Sequence, residues 1–277
     1  ALFFTEDKMC YKLSQNEMGK IKNLFARSQE TLVWSCLQGL MGTAYANHAQ
    51  KPTSAQIIIG SFSFFAGEAD RRLVANLPET LPSGYMLMIP ENEAWSALIE
   101  EQYGGKAERF LRYAIKKEPG VFDRQKLQAY IKALPPEYTL AAIDEALYDQ
   151  TGKEEWSKYF TFQFPTYEDY RARGIGYVAL YQGNPVSGAS SYAIYDGGIE
   201  IEVDTQENHR RKGLALACSA KLILACLERG LYPSWDAHNL RSVALAEKLG
   251  YHRGSEYVAY NVILEGEKHD IRFGKMG

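Results

Sequence analysis

Residues 199–230, IEIEVDTQENHRRKGLALACSAKLILACLERG, admit few structures. Ile199, Ile201 and Val203 alternate with Glu200, Glu202 and Asp204, the period-two pattern of a strand with one dry face and one carboxylate face. A polar turn follows, then Arg210-Arg211-Lys212-Gly213-Leu214-Ala215, then an apolar segment that reads as a helix. The first turn of a helix carries backbone N–H groups without intrahelical acceptors and the positive end of the macrodipole. Gly213 lets an anion come close to that backbone. A strand, a basic glycine turn and a helix in this order make a place to hold phosphate. The competing reading is a solvated basic turn.

The surroundings decide between them. In the second half, strands are predicted at 138–143, 175–181 and 186–195, with turns at 183–185 and 196–198. A short helix is predicted at 144–149, and a second over 154–173 broken by Pro165. After the organising helix, which stops at Gly230, come a strand at 232–236, a helix at 239–249 with Asn239 as N-cap, and a closing strand at 256–263. The first half reads as a helix at 14–27 capped by Ser14 and Glu17, an apolar segment at 32–40 and a strand or strand pair at 54–66. A strand at 85–89, a helix at 92–103 capped by Asn92 and a strand at 107–116 complete it. The basic, proline-bearing stretch 116–136 separates the halves, and Pro135-Pro136 cannot continue a helix, so the boundary is expected near 134, giving domains 1–134 and 135–277.

The halves echo one another. Asn92, Ala97, Leu98 and Glu100 match Asn239, Ala244, Leu245 and Glu247 at a constant offset of 147, which Tyr113 and Tyr260 share. The first half thus reads as a degenerate partial copy of the second, against chance matching of two amphipathic helices. Residue 66, at the same offset from Gly213, is alanine, so the copy is not expected to bind the same anion.

Composition narrows the function. At 277 residues, 46% hydrophobic and 23% charged, the chain can bury two cores. A net charge of −3 argues against nucleic acid. No apolar run approaches the ~20 residues of a membrane span, and Ala1-Leu2-Phe3-Phe4 lacks the form of a secretory signal. Cys10, Cys36, Cys218 and Cys226 form no paired framework, so reduced thiols in a cytoplasm are expected, with Cys218 and Cys226 as core thiols. The five histidines have no metal spacing with them, and no metal is expected; His209 and His238 read as turn residues, with contact to a ligand as the alternative. No G-x-x-x-x-G-K-S/T or G-x-G-x-x-G occurs.

Arg210, Gly213 and Ala215 fit the Q/R-x-x-G-x-G/A pyrophosphate loop, and the chain resembles the GCN5-related N-acetyltransferases, the GNAT superfamily. The order of elements in the second half is also theirs. The two-domain layout and the wording VDT-x-x-x-x-R-R-K-G-L-A resemble the branch of acetyltransferases that confers resistance to aminopolyol antibiotics such as zwittermicin. The resemblance implies an α/β fold: a mixed, mostly antiparallel GNAT sheet flanked by helices, preceded by a smaller GNAT-like half. It implies direct transfer, in a ternary complex, from acetyl-CoA as co-substrate to a primary amine of a small molecule. Arg210, Arg211, Lys212 and Gly213, with the N–H groups of Leu214 and Ala215, would hold the diphosphate. The pantetheine arm would pair with the backbone at Val203 and Thr205, near Asn239 and Ser242, and the Val203 N–H would polarise the thioester carbonyl. The general base would be Glu202, or else Glu200; the family's usual place, 11 before Arg210, is Ile199. The family's tyrosine acid is replaced by Ala246, which leaves Tyr257, Tyr260 or water for that role. A silent CoA-binding or partner-binding module, a longer acyl donor and a protein acceptor stay open, as does the oligomeric state.

Overall fold

The computed structural model describes residues 10–264; the opening Ala1 to Phe4 lies outside them. Described residues up to Leu111, together with those from Tyr257, form one compact unit, and Arg112–Glu256 form the other.

The first unit begins with β1 (Tyr11–Leu13) and a 3-10 turn at Gln15–Lys20, then α1 (Thr31–Leu37), β2 (Thr43–Ala46), β3 (Ser54–Ile59) and β4 (Phe62–Gly67). It continues through α2 (Arg71–Ala75), β5 (Tyr85–Ile89), α3 (Glu93–Tyr103) and the start of β6 (Ala107–Ile115). The capping box expected at Ser14 and Glu17 forms, yet the helix expected over 14–27 does not. Repeated i→i+3 bonds, Ile21 N to Met18 O and Leu24 N to Ile21 O, continue past the turn, with Met18, Ile21 and Phe25 buried and Leu24 half-buried.

The second unit takes the rest of β6, α4 (Arg124–Lys132), β7 (Tyr138–Ala142), α5 (Glu145–Lys153), α6 (Tyr167–Arg173), β8 (Gly176–Tyr181) and β9 (Asn184–Tyr195). Then follow β10 (Gly198–Thr205), α7 (Leu214–Glu228), β11 (Tyr232–Ser234), β12 (Asp236–Ala237), α8 (Leu240–Leu249) and β13 (Arg253–Ile263), whose second half joins the first unit. Its sheet runs β7-β8-β9-β10-β11, antiparallel except for the parallel pair β10–β11. Two expectations need correcting here. The stretch 116–136 is no plain separator: Asp123 caps α4, and Leu127 on its one apolar stripe packs into the α7 core, which carries the unit back to Arg112. The break expected at Pro165 within 154–173 is present, since Pro165 drives its predecessor out of the helical region and Thr166 caps α6 afresh, but the part before the break is a 3-10 turn at Lys158–Phe160 instead of a helix.

α7 is apolar on two sides because both are covered. One side, with Leu214, Cys218 and Leu222, packs on Ile175, Ala179, Val186 and Ile199 of the sheet; the other, with Ala220 and Ile223, packs on Trp235, Val243 and Leu249. Burial pushes the Cys218 and Cys226 thiols up to about 12, so both are inert core groups. Leu222 is fully buried, and Leu222→Ala is expected to destabilise the protein by about 2–5 kcal/mol, read as a lower midpoint in urea.

Each unit, taken by itself, repeats one motif. In the second, β10 and β11 pair in parallel at Gly198–Glu200 against Tyr232–Ser234; in the first, β4 and β5 pair in parallel at Phe62–Phe64 against Leu87–Ile89. The helix after each is capped by an asparagine in the same backbone state, φ −157° and ψ 178° at Asn92, φ −153° and ψ 177° at Asn239. The copies differ where β4 and β10 hand over to a helix. Ala66 lies inside β4, and the helix start belongs to Asp70, whose carboxylate accepts from Arg72 N at 2.9 Å and pairs with its guanidinium at 2.6 Å. A five-residue helix closed by a carboxylate offers an anion nothing.

Candidate active site

The site grows from the end of β10. Its apolar residues Ile199, Ile201 and Val203 face α7, which turns Glu200, Glu202 and Asp204 to the opposite face. β10 pairs with β9 along its whole length, Gly198 to Thr205, with Tyr192 of β9 as an extra residue between the partners of Glu200 and Ile201. Among the described residues, β11 pairs only with Gly198, Ile199 and Glu200. Beyond Ser234 the chain turns Trp235 into the core, where its Nε1 donates to Ser242 Oγ at 3.1 Å, and β12 pairs with β6 instead. The two parallel strands therefore part at Glu200 and Ser234, so that 201–205 have no β11 partner and a fork stands between the strands, the place for a cleft.

The loop after β10 leads to the start of α7. Arg211 has φ 61° and Gly213 has φ 76°, so two left-handed residues flank Lys212, a backbone shape whose N–H groups converge to form an anion-binding concavity. Asp123, Asp144, Thr166 and Asn239 cap α4, α5, α6 and α8 with side-chain oxygens, whereas α7 starts at Gly213, which has none. The first intrahelical bond is Ala217 N to Gly213 O, which leaves the N–H groups of Leu214, Ala215 and Leu216 without intrahelical acceptors. A Cβ placed on Gly213 would meet no atom within 4 Å. The start of α7 therefore has N–H groups without intrahelical acceptors and an open side at Gly213, following the strand that parts from its neighbour, which suits the diphosphate of a coenzyme.

The basic side chains do less there than their sequence suggests. Arg210 Nε donates back to Thr205 O at 3.2 Å, and Lys212 Nζ donates to Tyr138 OH at 3.2 Å. Thr205 N donates to Asp204 Oδ1 at 2.8 Å, and its Oγ1 bonds Ser187 Oγ at 2.7 Å. Both backbone groups of Thr205 are thus engaged locally, where pairing with a pantetheine amide was expected. Val203 is half-buried against both faces of α7.

A hydroxyl pair stands at the fork. Tyr195 OH lies 2.7 Å from Ser234 Oγ, and Ser234 is the register partner of Glu200. Gly198 makes room for that ring, since a Cβ there would lie 2.3 Å from Tyr195 OH. Burial, with a smaller contribution from the charge of Glu200, lifts the Tyr195 phenol to about 12 against the opposing hydrogen bond with Ser234. Sequence reasoning missed Tyr195, Ser234 and Tyr138; the first two hide in ordinary strand patterns, and Tyr138 lies far up the chain from the loop it touches.

A sequence model of the GNAT acetyltransferase family matches residues 22–260. The chain belongs to this family. It is 27% identical over 262 residues to YdfB, an uncharacterised N-acetyltransferase of Bacillus subtilis (strain 168), covering 90% of this chain and 97% of that one. The crystal structure of a GCN5-related N-acetyltransferase-like protein from Streptococcus suis 89/1591 superposes with a TM-score of 0.84 at 46% identity, over 89% of this chain and 98% of that one. A tandem GNAT protein from the clavulanic acid biosynthesis pathway shares the fold, with a TM-score of 0.53 at 12% identity over 94% of this chain and 99% of that one.

In this GNAT protein α8 holds three more residues of interest, Asn239, Ser242 and Ala246. Asn239 Oδ1 caps the helix, accepting from Ser242 N at 2.9 Å, while Ser242 Oγ holds Trp235. Ala246 is fully buried in the α7–α8 core, so no proton donor stands at that place. Tyr260, a candidate acid from the sequence, lies in the first unit, where it donates to Glu100 and accepts from Arg109 Nη1 at 3.1 Å. His238 accepts from Arg112 at 3.3 Å on its Nδ1, and burial, with the guanidinium's charge, holds its pKa down at about 3. Among the described residues, no cluster of His, Cys, Asp or Glu could hold a metal ion, and no helix is long and apolar enough to cross a membrane.

Proposed function

We propose that this GNAT acetyltransferase moves the acetyl group of acetyl-CoA to a primary amine of a small molecule, directly and in a ternary complex, with the second unit as its catalytic part. The observation that carries this reading is the uncapped start of α7, with an open side at Gly213, following the strand β10 that parts from β11. The backbone N–H groups of 213–215 would take the diphosphate, the cleft beside 201–205 the pantetheine arm, and the Val203 backbone the thioester carbonyl. A carboxylate of β10 would take the proton of the attacking ammonium, and bringing amine and thioester together would supply much of the rate.

The test is release of free thiol from acetyl-CoA against a panel of primary amines. We expect release that depends on both substrates and falls as the acyl chain lengthens. No release with any amine, together with no binding of CoA, would overturn the reading. One observation favours a second reading, a coenzyme-binding module without turnover: Ala246 stands where the family places an acid. Tight CoA binding without thiol release across the panel would select it.

A further inference from the structure

We infer that Tyr138, at the start of the edge strand β7, is the latch that holds the coenzyme loop in its binding shape, with His209 and Lys212 as its two struts. The inference rests on the coenzyme reading above. Tyr138 is nearly fully buried, and its hydroxyl lies 2.8 Å from His209 Nδ1 while accepting from Lys212 Nζ at 3.2 Å. The residues between, Arg210 and Arg211, are thereby suspended from one oxygen at both sides. Arg210 adds a third tie through its bond to Thr205 O.

The ring beneath that oxygen is fixed in its turn. Tyr138 pairs in register with Tyr181 of β8, their ring centroids 5.4 Å apart, and the His209 ring packs 5.0 Å from Tyr181 and edge-on at 5.7 Å to Tyr138. The Lys212 ammonium sits 5.9 Å from the centre of the Tyr138 ring. Such a cluster stabilises the left-handed state of Arg211, which a free loop would leave because a non-glycine residue loses roughly 1–2 kcal/mol there. Ordering the cradle before the coenzyme arrives removes a cost from binding. Lys212 then acts by holding the backbone and not as a direct phosphate ligand, which separates this assignment from the usual reading of a basic phosphate loop.

Tyr138→Phe keeps the ring and removes the oxygen. We expect its Kd for CoA, by titration calorimetry, to rise about tenfold, with the same rise in KM for acetyl-CoA and kcat held within about twofold. Lys212→Met is expected to weaken CoA by a similar factor, and the double variant by no more than the stronger single one, because both changes cut the same tie. If Lys212 touches phosphate directly and the Tyr138 hydroxyl supports the loop independently of it, the two losses multiply and the latch is overturned. Should Tyr138→Phe not fold, His209→Ala in the loop takes its place in the cycle; parental affinity in both His209→Ala and Lys212→Met overturns the latch. A parent protein that binds no CoA overturns the coenzyme reading and the latch with it, whereas parental binding by Tyr138→Phe removes the latch alone.

Discussion

Replacing Gly213 with valine is expected to weaken CoA binding by about 100-fold or more while the protein still folds. Two features produce this. At φ 76° a β-branched residue is strained, by roughly 1–2 kcal/mol, which should lower Tm by only a few degrees in a unit of this size. The added Cβ meets no atom within 4 Å beyond its chain neighbours, and the side chain extends from there into the space in which the diphosphate would approach the N–H groups of Leu214 and Ala215. A loss of 100-fold corresponds to about 2.7 kcal/mol, in the range for removing charge-assisted bonds to several donors. Gly230→Val is the control. Gly230 has φ 68° and an equally open Cβ direction, but it follows the far end of the 15-residue α7, roughly 22 Å along its axis. Calorimetry on the two variants should show a large loss in the first and parental affinity in the second. Equal losses would mean that strain spreads through α7 and that the cradle at its start is not the binding site.

The backbone part of this cradle was legible in the sequence, and the side-chain part was not. Strict alternation over 199–204 and the unbroken apolar run after 214 leave one arrangement, strand–turn–helix, and the glycine at 213 marks the turn. The caps at Asn92 and Asn239 were equally visible, because a short polar residue before an apolar repeat competes locally for the first N–H groups. What the loop's cations do depends on partners remote in sequence. A run of Arg210, Arg211 and Lys212 reads as phosphate ligands until Tyr138, on another strand, is seen to claim Lys212. α4 escaped for a related reason: its single apolar stripe is too weak a signal beside two prolines, and only α7, nearly 90 residues on, gives Leu127 something to bury against. The parting of β10 from β11 is likewise a property of pairing. Nothing in residues 232–237 announces that the first three will join one strand and the last two another.

Glu200→Gln is expected to lower kcat with a primary amine by about 10²–10³, within the range of about 10²–10⁴ for a general base. The sequence put Glu202 first for this role; the geometry moves our proposal to Glu200. Glu200 stands at the last paired position before the strands part, opposite Ser234, with Tyr195 close enough for its charge to be felt by the phenol. Glu202 is opposite Ser190, whose Oγ donates to Phe160 O at 2.6 Å, and the Phe160 ring covers this part of the sheet so closely that a Cβ on Gly188 would lie 2.7 Å from it. The matching change Glu202→Gln should therefore cost less than about tenfold. Two further readouts separate a base from a residue that merely shapes the fork. A base must be ionised to work, so it contributes a fall in kcat/KM toward low pH, and that contribution should vanish in the glutamine variant. An acceptor of low basicity, such as hydroxylamine, is already neutral near pH 7 and needs no proton removed before attack, so with it the penalty of Glu200→Gln should shrink to about tenfold or less. A penalty that stays the same for both acceptors would assign Glu200 to the structure of the fork, and a full loss in Glu202→Gln instead would return the role to that residue.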